Sequence, residues 1–169
     1  FFLIHLILLF LLVTIGYCEK QPFQLTIKSD KQVYNVGDEA QFTLTIKNNS
    51  EKNKYFYVAG LYEAPLFKIV DKNGNIQPWK YTVIYDVVGA KELYRLVGPG
   101  RDYGWIIKAK LSKKIKPIIA FHDSVIELSN FGKFNISVNY EGWNGMTFDL
   151  NKEDIFVGAL ISNFIAIEV

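Results

Sequence analysis

Cysteine occurs once in the 169 residues, at Cys18, so the chain beyond it cannot close an internal disulfide. A fold of this length must then be held by its core, which excludes the small disulfide-stapled scaffolds. Histidine occurs twice, and His5 lies in an apolar N-terminal run, leaving His122 alone. A zinc hydrolase places two imidazoles and a carboxylate on one helical face, and one histidine cannot supply that set. Arginine is confined to Arg95 and Arg101, and the formal net charge is only +2. Nucleic-acid binders gather arginine and lysine on one face. Here the lysines are scattered, apart from Lys113, Lys114 and Lys116, so no nucleic-acid partner is expected. Scattered lysines read instead as a solvated surface and as protection of sheet edges. No stretch keeps a long helical period, and no glycine-rich phosphate cradle precedes a helix, because Gly98-Pro99-Gly100 stands in a turn.

What is abundant is hydrophobic and aromatic. Half the chain is hydrophobic and 15% is aromatic, mainly Phe and Tyr, which excludes wholesale disorder and favours strands. The first thirteen residues, FFLIHLILLFLLV, are nearly continuously apolar. The run is shorter than the about 20 residues that span a membrane, and small and polar residues follow it. It reads as the apolar region of a secretory signal, with residues 1–18 removed and one domain from 19 to 169. Two readings of Cys18 stand side by side. Ile15-Gly16-Tyr17-Cys18 resembles a lipobox, in which Cys18 carries a lipid and gives the only membrane attachment. Alternatively, Gly16 and Cys18 are the small residues of an ordinary cleavage site. The expected location is secreted or cell envelope.

From Phe23 onward the hydrophobic period is two. Leu25 and Ile27, Phe42, Leu44 and Ile46, and Phe134, Ile136, Val138 and Tyr140 alternate with polar neighbours. Ile161, Ile165, Ile167 and Val169 hold odd positions at the end. Such alternation means one buried and one wet face, as in antiparallel sheets. It predicts that Phe42, Leu44, Phe134, Ile136 and Ile167 face one core while Lys47 faces water. Turn signals separate the runs: Gly37-Asp38, Asn48-Asn49-Ser50, Asn73-Gly74, Pro99-Gly100, Gly132 and Asn144-Gly145. Asp71 to Asn75 is expected to join a strand at 66–70 to one starting near Ile76. The result is an all-β, immunoglobulin-like antiparallel β-sandwich of about seven to nine strands.

Three segments carry a resemblance. Tyr34-Asn35-Val36-Gly37-Asp38, before a strand ending in Asn48-Asn49-Ser50, resembles the opening of secreted bacterial Ig-like and macroglobulin-like domains. Leu96-Val97-Gly98-Pro99-Gly100 resembles their L-x-P-G turn. Phe131-Gly132-Lys133-Phe134 and the later Ser162-Asn163 resemble their closing motifs. The order is similar to the non-catalytic N-terminal domain of deuterolysin-like metallopeptidases and to the bacillar proteinase-inhibitor domain. The resemblance implies a fold, and a shared fold does not carry an activity across.

Other chemistries fail on spacing. His122-Asp123-Ser124 holds the residue types of a triad, but triad members converge from distant segments. Asp149 to Asp154 alternates oxygen ligands, yet Asp154 stands where a calcium loop needs Gly and Leu160 where it needs Glu. No enzyme, metal or cofactor is expected. Two sequons, at Asn48 and Asn135, matter only in a eukaryotic secretory pathway; Asn135 faces away from the core side and has room for a glycan.

Aromatic-rich connections are the expected docking places. One runs from Trp79 through Tyr81 and Tyr85 to Tyr94, the other from Tyr140 to Phe148. Trp and Tyr bury large areas at low entropic cost and are enriched at hot spots. Gly142 and Gly145 bracket Trp143-Asn144, and their freedom at positive φ is expected to put Trp143 on a hairpin tip. Trp79, Tyr81, Trp143, Met146 and Phe148 are therefore the candidate binding residues. The opposing reading packs Trp143 over the open end of the sandwich. The function expected is a non-catalytic binding or accessory module whose partner is another extracellular or envelope protein. Inhibition of secreted peptidases and carbohydrate binding through Trp143 and Trp79 are the alternatives.

Overall fold

The computed structural model describes residues 21–58, 67–81, 94–113, 116–121, 124–142 and 154–169. Among them every regular element except one short 3₁₀ turn at Asp154 is a strand. There are twelve: β1 (Phe23–Ser29), β2 (Glu39–Asn48), β3 (Lys54–Tyr57), β4 (Phe67–Asp71), β5 (Trp79–Tyr81), β6 (Tyr94–Val97), β7 (Asp102–Lys113), β8 (Pro117–Ala120), β9 (Ser124–Glu127), β10 (Lys133–Glu141), β11 (Ala159–Ile161) and β12 (Ile165–Glu168). The excess over seven to nine comes from strands of three or four residues, too short to show a period in sequence.

Two antiparallel sheets form the sandwich. The first runs β1-β2-β7-β8-β9-β5. The second is centred on β10, with β4 on one side and β11 then β12 on the other. A two-stranded ribbon, β3-β6, stands beside them. The alternating runs fall where the period places them. Phe42, Leu44 and Ile46 from the first sheet and Phe134, Ile136, Val138 and Tyr140 from the second are all buried. Ile167 is buried too, and Lys47 is exposed. Aromatic rings tie the sheets together. Phe42 on β2 meets Phe67 on β4 at 5.3 Å, and Phe23 on β1 meets Phe156 at 5.4 Å. Such edge-on pairs add to the area they bury.

The turn motifs have a structural meaning. After β1 the chain crosses between sheets: Tyr34 N donates to Glu168 O, and Val33 bridges Glu168 in parallel. Tyr34 is buried, and its hydroxyl donates to Asp30 Oδ1 at 2.6 Å. The same oxygen accepts from Gln41 N at 2.8 Å. The Tyr34 hydroxyl, followed by the Gln41 amide, holds the Asp30 carboxyl below its usual range. Burial, followed by the bond to Asp30, pushes Tyr34 up to about 12.

Asn48, the first sequon asparagine, is fully buried at the end of β2. Its Nδ2 donates to Lys52 O at 2.8 Å and Val97 O at 2.7 Å, and its Oδ1 accepts from Ser50 N and Ser50 Oγ. The glycine-proline turn docks on the same residue, Gly100 N donating to Asn48 O and Asn48 N to Arg101 O. Asn48 is thus a staple, and no glycan fits on that nitrogen in the folded protein. Asn135 is exposed, as expected. The Asp71–Asn75 turn forms, but the strand expected to start near Ile76 is reduced to the single bridge Val70↔Ile76, and the next strand, β5, lies in the first sheet. Asp71 Oδ1 accepts from Asn73 N and Asn75 N, and Oδ2 from the Asn75 side chain. That side chain, followed by the Asn75 amide, holds Asp71 low.

Candidate interaction face

The candidate residues taken from sequence divide in two. Trp143, Met146, Phe148 and Cys18 lie outside the described residues, as do residues 1–20, His122, Asp123 and Asp149 to Glu153. For Trp79 and Tyr81 the backbone is described. They form β5, the last strand of the first sheet, opposite Ile126 and Ser124. The stretch after Gly142 leaves instead from the end of β10, in the second sheet. Two other residues of those aromatic runs are core. Tyr94 is buried with its ring 5.4 Å from that of Tyr57. Tyr140 is fully buried, and its hydroxyl accepts from Tyr57 N at 2.9 Å. Burial holds that hydroxyl well above the usual tyrosine range.

Gly142 does not serve the purpose expected of it. Among the described residues the positive-φ glycines are Gly37, Gly74, Gly100 and Gly132. Gly142 is needed for close approach: a Cβ there would lie 2.5 Å from Phe156 O and 3.1 Å from Gly158 N. Its own N–H donates to Gly158 O, continuing the β10–β11 pairing by one residue.

The closing strand also departs from the expected pattern. Ile161 was expected inside with Ile165 and Ile167, yet it is 68% exposed while Ile167 is buried. The register explains the reversal. Asn139 pairs with Ile161, but Ile136 pairs with Ile165, so four steps on one strand face three on the other. This is a one-residue bulge, and a one-residue slip moves every side chain beyond it to the other face. Ser162 and Asn163 build the bulge. Ser162 Oγ accepts from Val138 N at 2.9 Å, replacing a missing ladder carbonyl, and Ser162 N donates to Val138 O. Asn163 then pairs with the edge of β1 as a strand would: Oδ1 accepts from Ile27 N at 2.9 Å and Nδ2 donates to Ile27 O at 3.1 Å.

The bulge adds Ile161 to the outer face of the second sheet. Register places Asn135, Ser137, Asn139, Val70, Lys68, Ala166 and Ile161 there, with Ile76 beside Val70. Ile76 is 60% and Phe164 63% exposed. Continuing the β12 register by one residue sets Phe164 opposite Ser137. Charges stand at the ends, at Lys133 and Glu168 and at Glu141, and at Lys68 opposite Ser137 in the middle. The first sheet shows what an ordinary wet face looks like. Its outward row reads Gln41, Thr43, Thr45 and Lys47 on β2, with Lys108 and Lys110 across on β7. Lys108 is paired to Glu39 at 2.8 Å, and Ile106 is the single large apolar residue in those rows.

Ser137 adds a second oddity. Its hydroxyl is fully buried, though it points away from the sandwich core, and it has no hydrogen-bond partner among the described residues. A buried polar group without a partner costs free energy, so unpaired ones are few in native proteins.

No family model matches the chain, and no curated protein matches it.

Among the described residues, no group of three or more His, Cys, Asp or Glu side chains is placed to hold a metal ion. No helix among them is long and apolar enough to cross a membrane. The carboxylates with shifted titration, Asp30 and Asp71, spend their oxygens on backbone and side-chain donors within turns. What the described surface offers is contact area. The sequence missed it because Ile161 keeps the parity of the core residues, and only the bulge turns it outward.

Proposed function

We propose that this protein is an exported, non-catalytic Ig-like module that acts by protein–protein contact, through the outer face of the second sheet. The observation that carries this reading is the contrast between two outer faces of one sandwich. The first is a row of Thr, Gln and Lys interrupted by Ile106; the second sets the exposed Ile161, Phe164 and Ile76 among Asn, Ser and one lysine, Lys68. Exposed apolar side chains gathered on one face mark contact surfaces. The Ig-like part is supported by strand pairing. β1, β2 and β7 share one sheet, β4, β10 and the closing strand share the other, and residues 32–34 cross to pair with the closing strand. Export is supported by the apolar run at residues 1–13 and the single cysteine after it. Site-specific photo-crosslinking tests the docking face. A crosslinker at Ile161 should capture a protein, a second copy or another, while one at Thr43 on the opposite outer face should not. Equal capture from both positions would refute the assignment.

A further inference from the structure

We infer that this fold is built to bear tension: its opening and closing segments lie side by side and parallel, and form a clamp that an end-to-end pull loads in shear. The inference is independent of the docking reading. Three contacts fix the arrangement. Phe23 meets Phe156 ring to ring at 5.4 Å. Ile27 is joined through both its backbone groups to the Asn163 side chain, at 2.9 and 3.1 Å. Val33 bridges Glu168 in parallel, with Tyr34 N donating to Glu168 O at 2.9 Å and Glu168 N to Gln32 O at 2.8 Å. The segments 23–34 and 156–168 therefore advance in the same sense along the sandwich.

That sense decides the mechanics. Where two neighbouring segments are parallel, drawing the start of one away from the end of the other slides them past each other. Their hydrogen bonds lie across the chains, so sliding strains all of them together. Antiparallel neighbours under the same pull would open from one end, a bond at a time. The other neighbour of β1 is also loaded lengthwise. β2 opposes β1 from Phe23↔Asn48 to Ser29↔Phe42, and a pull on the chain before Phe23 drags β1 along that ladder. No slack can be drawn from the crossing between the two grips. Asp30 N donates to Gln41 O, Asp30 Oδ1 accepts from Gln41 N and from the Tyr34 hydroxyl, and Tyr34 is itself buried. A module held to a surface upstream of Phe23 and gripped by a partner on β10 would carry tension along this path.

The test is single-molecule force spectroscopy on the purified exported protein, pulled at one speed through two pairs of handles. One pair sits at the two termini. The other joins the N-terminus to position 51, through Glu51→p-azidophenylalanine on the exposed turn after β2. This second pull draws Phe23 from Asn48 and opens β1 from β2 a bond at a time. The terminal pull should need at least about twice the force of the second, because it strains its bonds together. A terminal force equal to the second or below it refutes the clamp. Glu168→Pro removes the N–H given to Gln32 and spares the β10 ladder, because the Glu168 backbone groups turn toward residues 32–34. It should lower the terminal force by about a fifth or more and leave the second pull unchanged, since the seam beyond Ser29 is not yet loaded there. Asn163→Ala removes both bonds to Ile27 and should lower the terminal force at least as much. A terminal force that neither variant lowers refutes the clamp. So does an equal loss in both pulls from Glu168→Pro, which marks general weakening instead. Urea denaturation establishes that each variant is folded.

Discussion

Replacing Asn48 with alanine should cost about 4 kcal/mol of stability. Asparagine offers two donor hydrogens and a carbonyl with two lone pairs. At Asn48 all four are used, on Val97 O, Lys52 O, Ser50 N and Ser50 Oγ. The bond to Val97 is buried, and the other three are partly buried. Alanine leaves the Val97 carbonyl stranded, at about 1–3 kcal/mol. The two wetter contacts, to Lys52 and to the Ser50 turn, add about 0.5–1.5 kcal/mol each after water takes their place. The sum centres on about 4 kcal/mol, which for a chain of this size lowers the melting temperature by about 8–16 °C. Urea denaturation followed by the fluorescence of buried Trp105 measures it, and Ser50→Ala, which removes one hydroxyl, sets the scale at no more than about 1 kcal/mol. Asn48→Asp provides the control of mechanism. A carboxylate there has no proton for Val97 O or Lys52 O, so burial and the two carbonyls raise its pKa in the folded state. A raised folded pKa gives a contribution that is complete below the unfolded value and lost as pH rises through the folded one. The aspartate variant should therefore recover part of its stability as pH falls from neutral to about 4, over a range where the alanine variant shows no such gain relative to wild type. A loss below about 1 kcal/mol for Asn48→Ala, with an unchanged denaturant slope, would refute the staple.

Two further outcomes follow from the turns and the bulge. Tyr34 titrates at about 12 in the fold against 10 when free, so its contribution is complete below pH 10 and is lost as pH rises through 12; Tyr34→Phe should flatten this part of the alkaline decline in a stability-against-pH series. Gly142→Ala drives a methyl into the Phe156 carbonyl at 2.5 Å and should cost about 1–3 kcal/mol by urea denaturation, whereas Gly74→Ala, which meets nothing within 4 Å, should show only the smaller penalty of its positive φ.

The core was legible in the sequence because three long strands follow the period of two without interruption. Phe42, Leu44 and Ile46, or Phe134 to Tyr140, can face only one way once paired, so periodicity and burial coincide. Short strands were not legible: β5, β8 and β9 hold three or four residues each, too few to show a phase. The motifs were legible as turns but not as partners of one another. That Asn48 reaches Val97, forty-nine residues on, is a fact of tertiary packing. The bulge was hidden most completely. Ile161, Ile165 and Ile167 share one parity, and nothing local announces that a serine hydroxyl will stand in for a backbone carbonyl between them.

That substitution links folding to the surface on offer. Ser162 and Asn163 have two separate tasks, one on each side of the closing strand. Ser162 keeps β10 supplied with an acceptor where the ladder skips a residue, and Asn163 satisfies Ile27 on the exposed edge of β1. Together they allow the strand to continue past a one-residue slip with no hydrogen bond stranded at either place. Without them, a continuous register would turn Ile161 inward and present the neighbours of opposite parity to water. The bulge thus sets Ile161 and Ala159 on the outer face where a continuous register would set Ser162 and Leu160, and does so beside Ser137, the one buried hydroxyl without a partner among the described residues. An unpartnered edge of β1 invites pairing with other strands, whereas a face closed at its edge by Asn163 restricts contact to side chains. The geometry therefore favours packing of face on face over extension of the sheet.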